Sequence, residues 1–267
     1  MAKRKSYSNK ALALRDPKEA AEAIKDKVHI YRKNAVCETD SIGYATPENR
    51  SPTELVVDAS EGFVPLWAPD VTLRWRFQEN SMSIFSDPAG AKNALRQLFA
   101  ESILAWGDAV PVRFAERQDA WDFEIVVAPQ ENCSINGCTL ARAFFPDAGR
   151  HDLVIYPTMF QQDQAEMVET LAHEIGHIFG LRHFFAKVSE TAWPAEVFGT
   201  HSKFSIMNYG QDSELTPTDR DDLASLYQAV WSGAMSNVNG TPIELMRPFS
   251  HFRLADETSG PFAMDFA

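Results

Sequence analysis

The chain has 267 residues and a formal net charge of −12 at pH 7, and 45% of its residues are hydrophobic. A chain of this length and composition can bury the core of a globular protein. The acidic balance excludes nucleic acid and anionic membrane surfaces as expected partners, because the field of the molecule repels them. No apolar run approaches the ~20 residues that a membrane-spanning helix needs. We expect a monomer.

Residues 1–70 are predicted to form an N-terminal extension or a pro-segment, and the pattern does not decide between the two. The basic start, Met1–Lys5, is followed by only one short apolar stretch, Ala11–Leu14, which is too short for the core of a signal peptide. No export signal is visible, so we expect action inside the cell, export by another route, or a sequence that is not the natural precursor. A helix is predicted at about 17–28.

A domain of mixed helices and strands is predicted over residues 71–232. Val71 to Phe77 alternates apolar and polar residues, as a half-buried strand does. Asp87 and Pro88 predict the start of a helix that ends at Gly107. The further predicted elements are strands at 111–115, 123–128, 140–145 and 153–156, a helix at about 163–180, and a helix from Thr216 to about 231. Residues 233–267 are predicted to be a C-terminal tail that either packs back or extends away.

The stretch from His173 to His183 carries the strongest chemical signal. His173 and His177 are four residues apart, so on a helix their imidazoles lie on one face and can hold one zinc ion. Glu174 stands beside the first histidine, where its carboxylate can reach a metal-bound water. Gly180 suits a left-handed helix end that turns the chain, so that His183 supplies a third nitrogen. Three protein ligands leave a position for water, which is typical of a catalytic zinc site.

This extended motif resembles that of the metzincin clan of zinc endopeptidases. It is followed by Ser205-Ile206-Met207-Asn208-Tyr209, which resembles the Met-turn. The segments 140–146 and 221–227 are most similar to the cleft strand and the C-terminal helix of the matrixin branch. The resemblance covers about residues 70–232. Phe184 and Tyr209 depart from the typical matrixin pattern, so the branch within the clan stays open at this point.

The resemblance implies an α+β metzincin-type catalytic domain, in which a twisted mixed sheet packs with an active-site helix and a C-terminal helix. It implies one catalytic Zn²⁺ held by His173, His177 and His183, with Glu174 as the general base and acid. Met207 would form an apolar floor beneath the imidazoles. Tyr209 would either reach the metal and the oxyanion or be an ordinary core tyrosine. Structural calcium is also implied, although no acid-rich loop places it.

The substrate implied by the resemblance is an extended protein or peptide segment. Ala141, Arg142 and Ala143 would lie on a free strand edge to which the substrate adds by backbone hydrogen bonds. Aromatic residues within 184–206 would form part of the wall of the specificity pocket. The rival hypothesis is a catalytically silent zinc-binding module that binds peptides. Glu174 argues against it, because an inactive relative would have no need of the base. A protease devoted to one partner is a third hypothesis.

The cysteines and two further histidines could each serve in more than one role. Cys133 and Cys138 flank a short Gly-containing loop and form either a local disulfide or two reduced thiols. Cys37 is either a latency switch, for which the surrounding pattern is missing, or a buried thiol. His151 and His201 are candidates for extra zinc ligands, but the sequence around them does not favour a second metal site.

Overall fold

The computed structural model of the protein describes residues 62–134, 137–182 and 215–258, together with the short segments 55–58, 195–198 and 206–207. None of the helices in these ranges combines the length and apolar character needed to cross a membrane. The strands are β1 (Leu55–Asp58), β2 (Val64–Trp67), β3 (Thr72–Phe77), β4 (Arg113–Glu116), β5 (Phe123–Val127), β6 (Asn132–Ser134), β7 (Gly137–Thr139), β8 (Ala141–Arg142), β9 (His151–Ile155), β10 (Ala195–Phe198), β11 (Asn237–Val238) and β12 (Thr241–Met246). The helices are α1 (Pro88–Trp106), α2 (Gln164–Ile178), α3 (Pro217–Trp231) and α4 (Phe249–Thr258), with 3₁₀ turns at Glu79–Ile84, Gly107–Ala109 and Pro157–Gln161.

A five-stranded sheet forms the centre of the fold, with the strand order β4-β3-β5-β9-β8. All neighbouring strands are parallel except β8, which runs antiparallel to β9 at one edge. The predicted α+β class with a mixed sheet is confirmed. Strand β8 is shorter than the predicted 140–145, because Ala143 and Phe144 both turn their side chains into the core, and a strand must alternate its faces.

Both α1 and α2 pack against the sheet through aromatic side chains. Phe99 of α1 lies edge-on to Trp75 of β3, with ring centroids 5.3 Å apart, and Phe179 at the end of α2 lies 6.3 Å from Phe114 of β4. The buried Ser102 hydroxyl lies 2.9 Å from the Val168 carbonyl oxygen and so connects the two helices. The predicted start of α1 is confirmed, because the Asp87 carboxylate accepts the backbone N–H of Gly90.

The segments on either side of the predicted domain pair with each other. Strand β2, from the N-terminal extension, runs parallel to β12, from the C-terminal tail, with Leu66 opposite Leu245. Val64, Leu66 and Trp67 are at most 1% exposed, so β2 belongs to the hydrophobic core. The tail therefore packs back onto the domain over the range that the structure describes. The division at residues 71 and 232 stays a prediction.

One buried carboxylate, that of Asp122, holds helix α4 in place. Asp122 is 2% exposed and accepts the backbone N–H groups of Arg74, at 2.7 Å, and of Ser250, at 2.6 Å. Burial raises the pKa of this carboxyl group, although the same hydrogen bonds act against the rise. Next to it, the Arg150 guanidinium lies between the rings of Trp121 and Phe249, at 4.2 and 4.3 Å. These contacts fix the start of α4 to the central sheet.

Candidate metal centre and substrate cleft

The two predicted zinc-binding histidines lie in the last two turns of α2, with ring centroids 4.9 Å apart. The helix begins with a capping box: the Asp163 carboxylate accepts the Glu166 N–H, and the Glu166 carboxylate accepts the Asp163 N–H. An apolar stripe of the helix faces the core, with Leu171, Ile175 and Ile178 at most 1% exposed. Burying that stripe fixes the rotation of the helix, and with it the direction of both imidazoles.

Each imidazole is oriented by a backbone carbonyl group. The Nδ1 atom of His173 lies 2.7 Å from the Ile206 oxygen, and the Nδ1 atom of His177 lies 2.7 Å from the Leu181 oxygen. A carbonyl oxygen only accepts hydrogen bonds, so each Nδ1 carries the proton and the Nε2 atom of each neutral ring carries the lone pair. A histidine that binds zinc usually donates its other ring N–H to a group of this kind. The two imidazoles therefore fit the metal that the motif implies.

Glu174 is buried beside this pair, with 3% of its surface exposed, and His177 is fully buried. A carboxylate held beside two imidazoles in a site of this depth suits proton transfer. Among the residues that the structure describes, no third His, Cys, Asp or Glu completes a metal cluster. The predicted third ligand, His183, and the predicted oxyanion group, Tyr209, both lie outside the described residues.

Met207, the residue predicted to form the floor of the site, lies against α2 at Gly176. A β-carbon built on Gly176 would stand 2.5 Å from the Met207 sulfur and 3.2 Å from the Trp106 ring. Because residue 176 is a glycine, the Met207 side chain can contact the backbone of α2 between His173 and His177. The neighbouring Ile206 carbonyl orients His173, so the two residues of this turn support the site from below.

The end of α2 is a Schellman motif centred on Gly180, whose φ is +90°. The Gly180 N–H donates to the His177 oxygen at 2.8 Å, and the Leu181 N–H donates to the Gly176 oxygen at 3.0 Å. A β-carbon at Gly180 would lie 3.1 Å from both the Pro65 oxygen and the Leu66 side chain. Glycine is required here for its left-handed conformation and for the close approach of β2.

Two side chains from distant elements complete the hydrogen bonding at the end of this helix. The Trp67 indole N–H donates to the Ile178 oxygen at 2.7 Å, and the Tyr227 hydroxyl donates to the Phe179 oxygen at 3.1 Å. Burial raises the pKa of the Tyr227 hydroxyl, so this group stays protonated and can donate. Neither donor has a sequence signal, because each reaches the helix only through the tertiary fold.

The strand predicted to line the substrate cleft, β8, lies beside α2. Ala141 and Arg142 form β8, at the edge of the central sheet, and β8 pairs on its other side with no strand in the described part of the chain. Ala141 and Ala143 are 2% and 6% exposed, so their side chains belong to the core. Phe145 follows, with its ring centroid 5.6 Å from that of His177. The chain that leaves the edge strand thus lies against α2 at His177.

The other sequence candidates lie apart from this centre. Cys133 and Cys138 face each other across the β6–β7 hairpin, and their sulfur atoms form a disulfide bond. The His151 ring stacks on Phe144 at 4.4 Å, and its Nε2 atom lies 3.6 Å from the Asp147 carboxylate. The interaction with the nearby His151 side chain lowers the pKa of the Asp147 carboxyl group. Cys37, His201 and the helix predicted at 17–28 lie outside the described residues.

A family model for the matrixin peptidases matches residues 67–228, which is more than half of the chain. The chain belongs to the matrixin family. This membership confirms the resemblance and the branch that the sequence left open. The solved structure of myroilysin is similar over 64% of this chain and 98% of its own, with 12% sequence identity and a TM-score of 0.43. No curated protein sequence matches the chain significantly.

Membership assigns this matrixin chain to the zinc-dependent metallopeptidases, which are hydrolases that act on protein or peptide substrates. The matched range takes in α2, the turn at Met207 and most of α3, which together carry the site described above. It leaves out the strands β11 and β12, the helix α4 and most of β2. Trp67 and Tyr227, which bind the end of α2, lie within the match, whereas Pro65 and Leu66, which pack against Gly180, lie just before it.

Proposed function

We propose that this matrixin is a zinc-dependent endopeptidase that hydrolyses peptide bonds in extended segments of protein substrates. His173, His177 and His183 are the proposed ligands, since zinc binds the imidazole of histidine in its neutral form. The observation that carries the proposal is the pair of imidazoles whose Nδ1 atoms are bound to backbone carbonyls beside a buried glutamate. That arrangement supplies neutral nitrogen ligands and a base at one place.

The zinc ion, when bound, supplies Lewis acidity toward the scissile carbonyl and toward the attacking water. Glu174 accepts the proton of that water and delivers it to the nitrogen of the leaving amine, which completes the hydrolysis. Its burial suits this role, since a carboxylate shielded from solvent exchanges its proton with the reacting groups and not with bulk water. Tyr209 is a second proposed group, as a hydrogen-bond donor to the developing oxyanion.

The substrate would add as a further strand to the edge of the central sheet. The backbone groups of Ala141, Arg142 and Ala143 are the proposed hydrogen-bonding partners. The contact between Phe145 and His177 supports this placement, because it brings the chain that leaves the edge strand against a proposed metal ligand. A peptide bound there in an extended conformation would pass across the site.

The test compares Glu174→Gln with Glu169→Gln in the full chain and in a chain that lacks residues 1–54. Glu169 is an exposed carboxylate on the same helix and serves as the matched control. We expect Glu174→Gln to lower the rate of cleavage of casein and of a peptide library by about 10²–10⁴-fold, with one zinc retained per chain. Glu169→Gln should cleave normally.

The truncation stops before β1 because β2 belongs to the core. The shorter chain therefore keeps the strand that packs against the end of α2. A wild-type protein that binds one zinc but cleaves no member of the library in either form would indicate the silent binding module instead. Equal activity of Glu174→Gln and Glu169→Gln would refute the assigned base.

A further inference from the structure

The last turn of α2 has a complete set of hydrogen-bond donors. By helix geometry the final carbonyl groups of a helix have no partner within it. Here the oxygens of residues 175, 176 and 177 accept backbone N–H groups of the Schellman turn. The next two oxygens, of Ile178 and Phe179, accept the side chains of Trp67 and Tyr227, which are 111 and 48 residues away in sequence.

The two donors belong to one buried cluster. The backbone N–H of Trp67 donates to the Tyr227 oxygen at 3.3 Å, and the Trp231 indole donates to the Trp67 carbonyl oxygen at 2.9 Å. Trp67 and Tyr227 are 1% and 2% exposed. Because water does not reach these carbonyl groups, a lost donor would leave an unsatisfied buried oxygen, and the turn would rearrange to find another partner.

The turn that these donors hold leads directly to the proposed ligands. Leu181, two residues after Phe179, places its oxygen 2.7 Å from Nδ1 of His177. His183 follows two residues later in the sequence. A rotation of the peptide groups at 178 and 179 would shift the carbonyl that orients one ligand and the chain that carries another.

We propose that Trp67 and Tyr227 are positioning residues for the metal centre, which they hold through the carbonyl groups of Ile178 and Phe179. The inference rests on the proposed function, since it assumes that the site binds zinc. It extends the functional part of the chain to β2, because Trp67 ends that strand and the pairing of β2 with β12 keeps it in place. The C-terminal tail then supports metal binding through β12.

The first test compares Tyr227→Phe with Ser102→Ala in the full chain. Each change removes one buried hydroxyl that contacts a carbonyl of α2 or of the turn after it, but Ser102 lies at Val168, before the histidines. The dissociation constant for Zn²⁺, measured by competition with a chromogenic chelator, should rise about tenfold in Tyr227→Phe. It should stay at the wild-type value in Ser102→Ala.

The second test compares Trp67→Phe with Trp75→Phe, which removes the same ring atoms from a buried tryptophan in the central sheet. We expect both variants to unfold at lower temperature, because each loses buried ring volume. Only Trp67→Phe should weaken zinc binding and alter the visible absorption of bound Co²⁺, which reports ligand geometry and does not depend on activity.

Two outcomes separate the inference from the proposed function. A wild-type chain that binds neither Zn²⁺ nor Co²⁺ would overturn the proposed function and this inference with it. A wild-type chain that binds zinc, with Tyr227→Phe and Trp67→Phe indistinguishable from their controls in affinity and in the Co²⁺ spectrum, would overturn the inference alone.

Discussion

Replacing Gly180 by alanine tests whether the end of α2 needs a left-handed glycine packed closely against β2. The backbone at this residue has φ +90°, and a left-handed conformation costs an L-residue roughly 1–2 kcal/mol. The added β-carbon would also lie 3.1 Å from the Pro65 oxygen and from the Leu66 side chain. Because the Pro65 oxygen is part of the backbone, β2 or the turn must move, and such overpacking costs about 1–3 kcal/mol.

A second glycine in the same chain isolates the conformational part of this cost. Gly233 follows α3 with φ +74°, and a β-carbon there would meet nothing within 4 Å. Gly233→Ala should therefore lose only the roughly 1–2 kcal/mol of the left-handed conformation. Gly180→Ala should lose about 2–5 kcal/mol in total, since the two contributions add.

The assays are urea and thermal unfolding of the metal-free full-length variants, followed by zinc titration. With a shift of about 2–4 °C per kcal/mol, Gly180→Ala should melt several degrees below Gly233→Ala. It should also bind zinc more weakly, whereas Gly233→Ala should bind normally. Equal free energies of unfolding for the two variants would refute the argument that β2 packs tightly against this turn.

Gly176→Ala would place a β-carbon 2.5 Å from the Met207 sulfur, so the turn that carries Met207 must shift away from α2. We expect lower peptidase activity at unchanged secondary structure. A crystal structure of the variant with Met207 in its wild-type position would contradict this. Replacing Cys133 and Cys138 with serine opens a disulfide with a sequence separation of 5, which should cost about 2 kcal/mol in urea unfolding, and reduction of the wild type should have the same effect. Burial raises the pKa of Asp122, so the folded state keeps a proton that the unfolded chain has released. The stability from this group is present below the ordinary pKa of about 4 and is lost as the pH rises through the raised pKa of the folded state. The stability of the wild type relative to Asp122→Asn should therefore decrease as the pH rises above about 4, and a constant difference would contradict the assignment.

Local signals predicted most of the elements that build the site. The cap at Asp87, the alternation from Val71 to Phe77 and the Thr216 cap each depend on side chains within a few residues, so they can be recognised without the fold. The spacing of His173 and His177 belongs to the same class, because a helix fixes which residues share a face. The bounds of β8 were harder to predict, because Ala143 and Phe144 leave the strand to fill the core.

The hydrogen bonds that orient the metal ligands could not be predicted in the same way. The carbonyl group that binds His173 belongs to Ile206, 33 residues later, and the donor to Ile178 is Trp67, 111 residues earlier. Any backbone carbonyl can accept such a bond, so no residue type marks the partner. The pairing of β2 with β12 is equally hidden, since it joins segments from opposite ends of the chain.

Spacing along the chain was enough to predict the proposed ligands and base, the helix that carries His173 and His177, and the glycine that ends that helix. These follow from short-range geometry, in which spacing along the chain dictates spacing in space. The folded chain was needed to show how His173 and His177 are oriented and which strand forms the edge beside His177. It also showed that Trp67 of β2 and Tyr227 of α3 support the last turn of α2. Those features depend on which distant groups burial brings together.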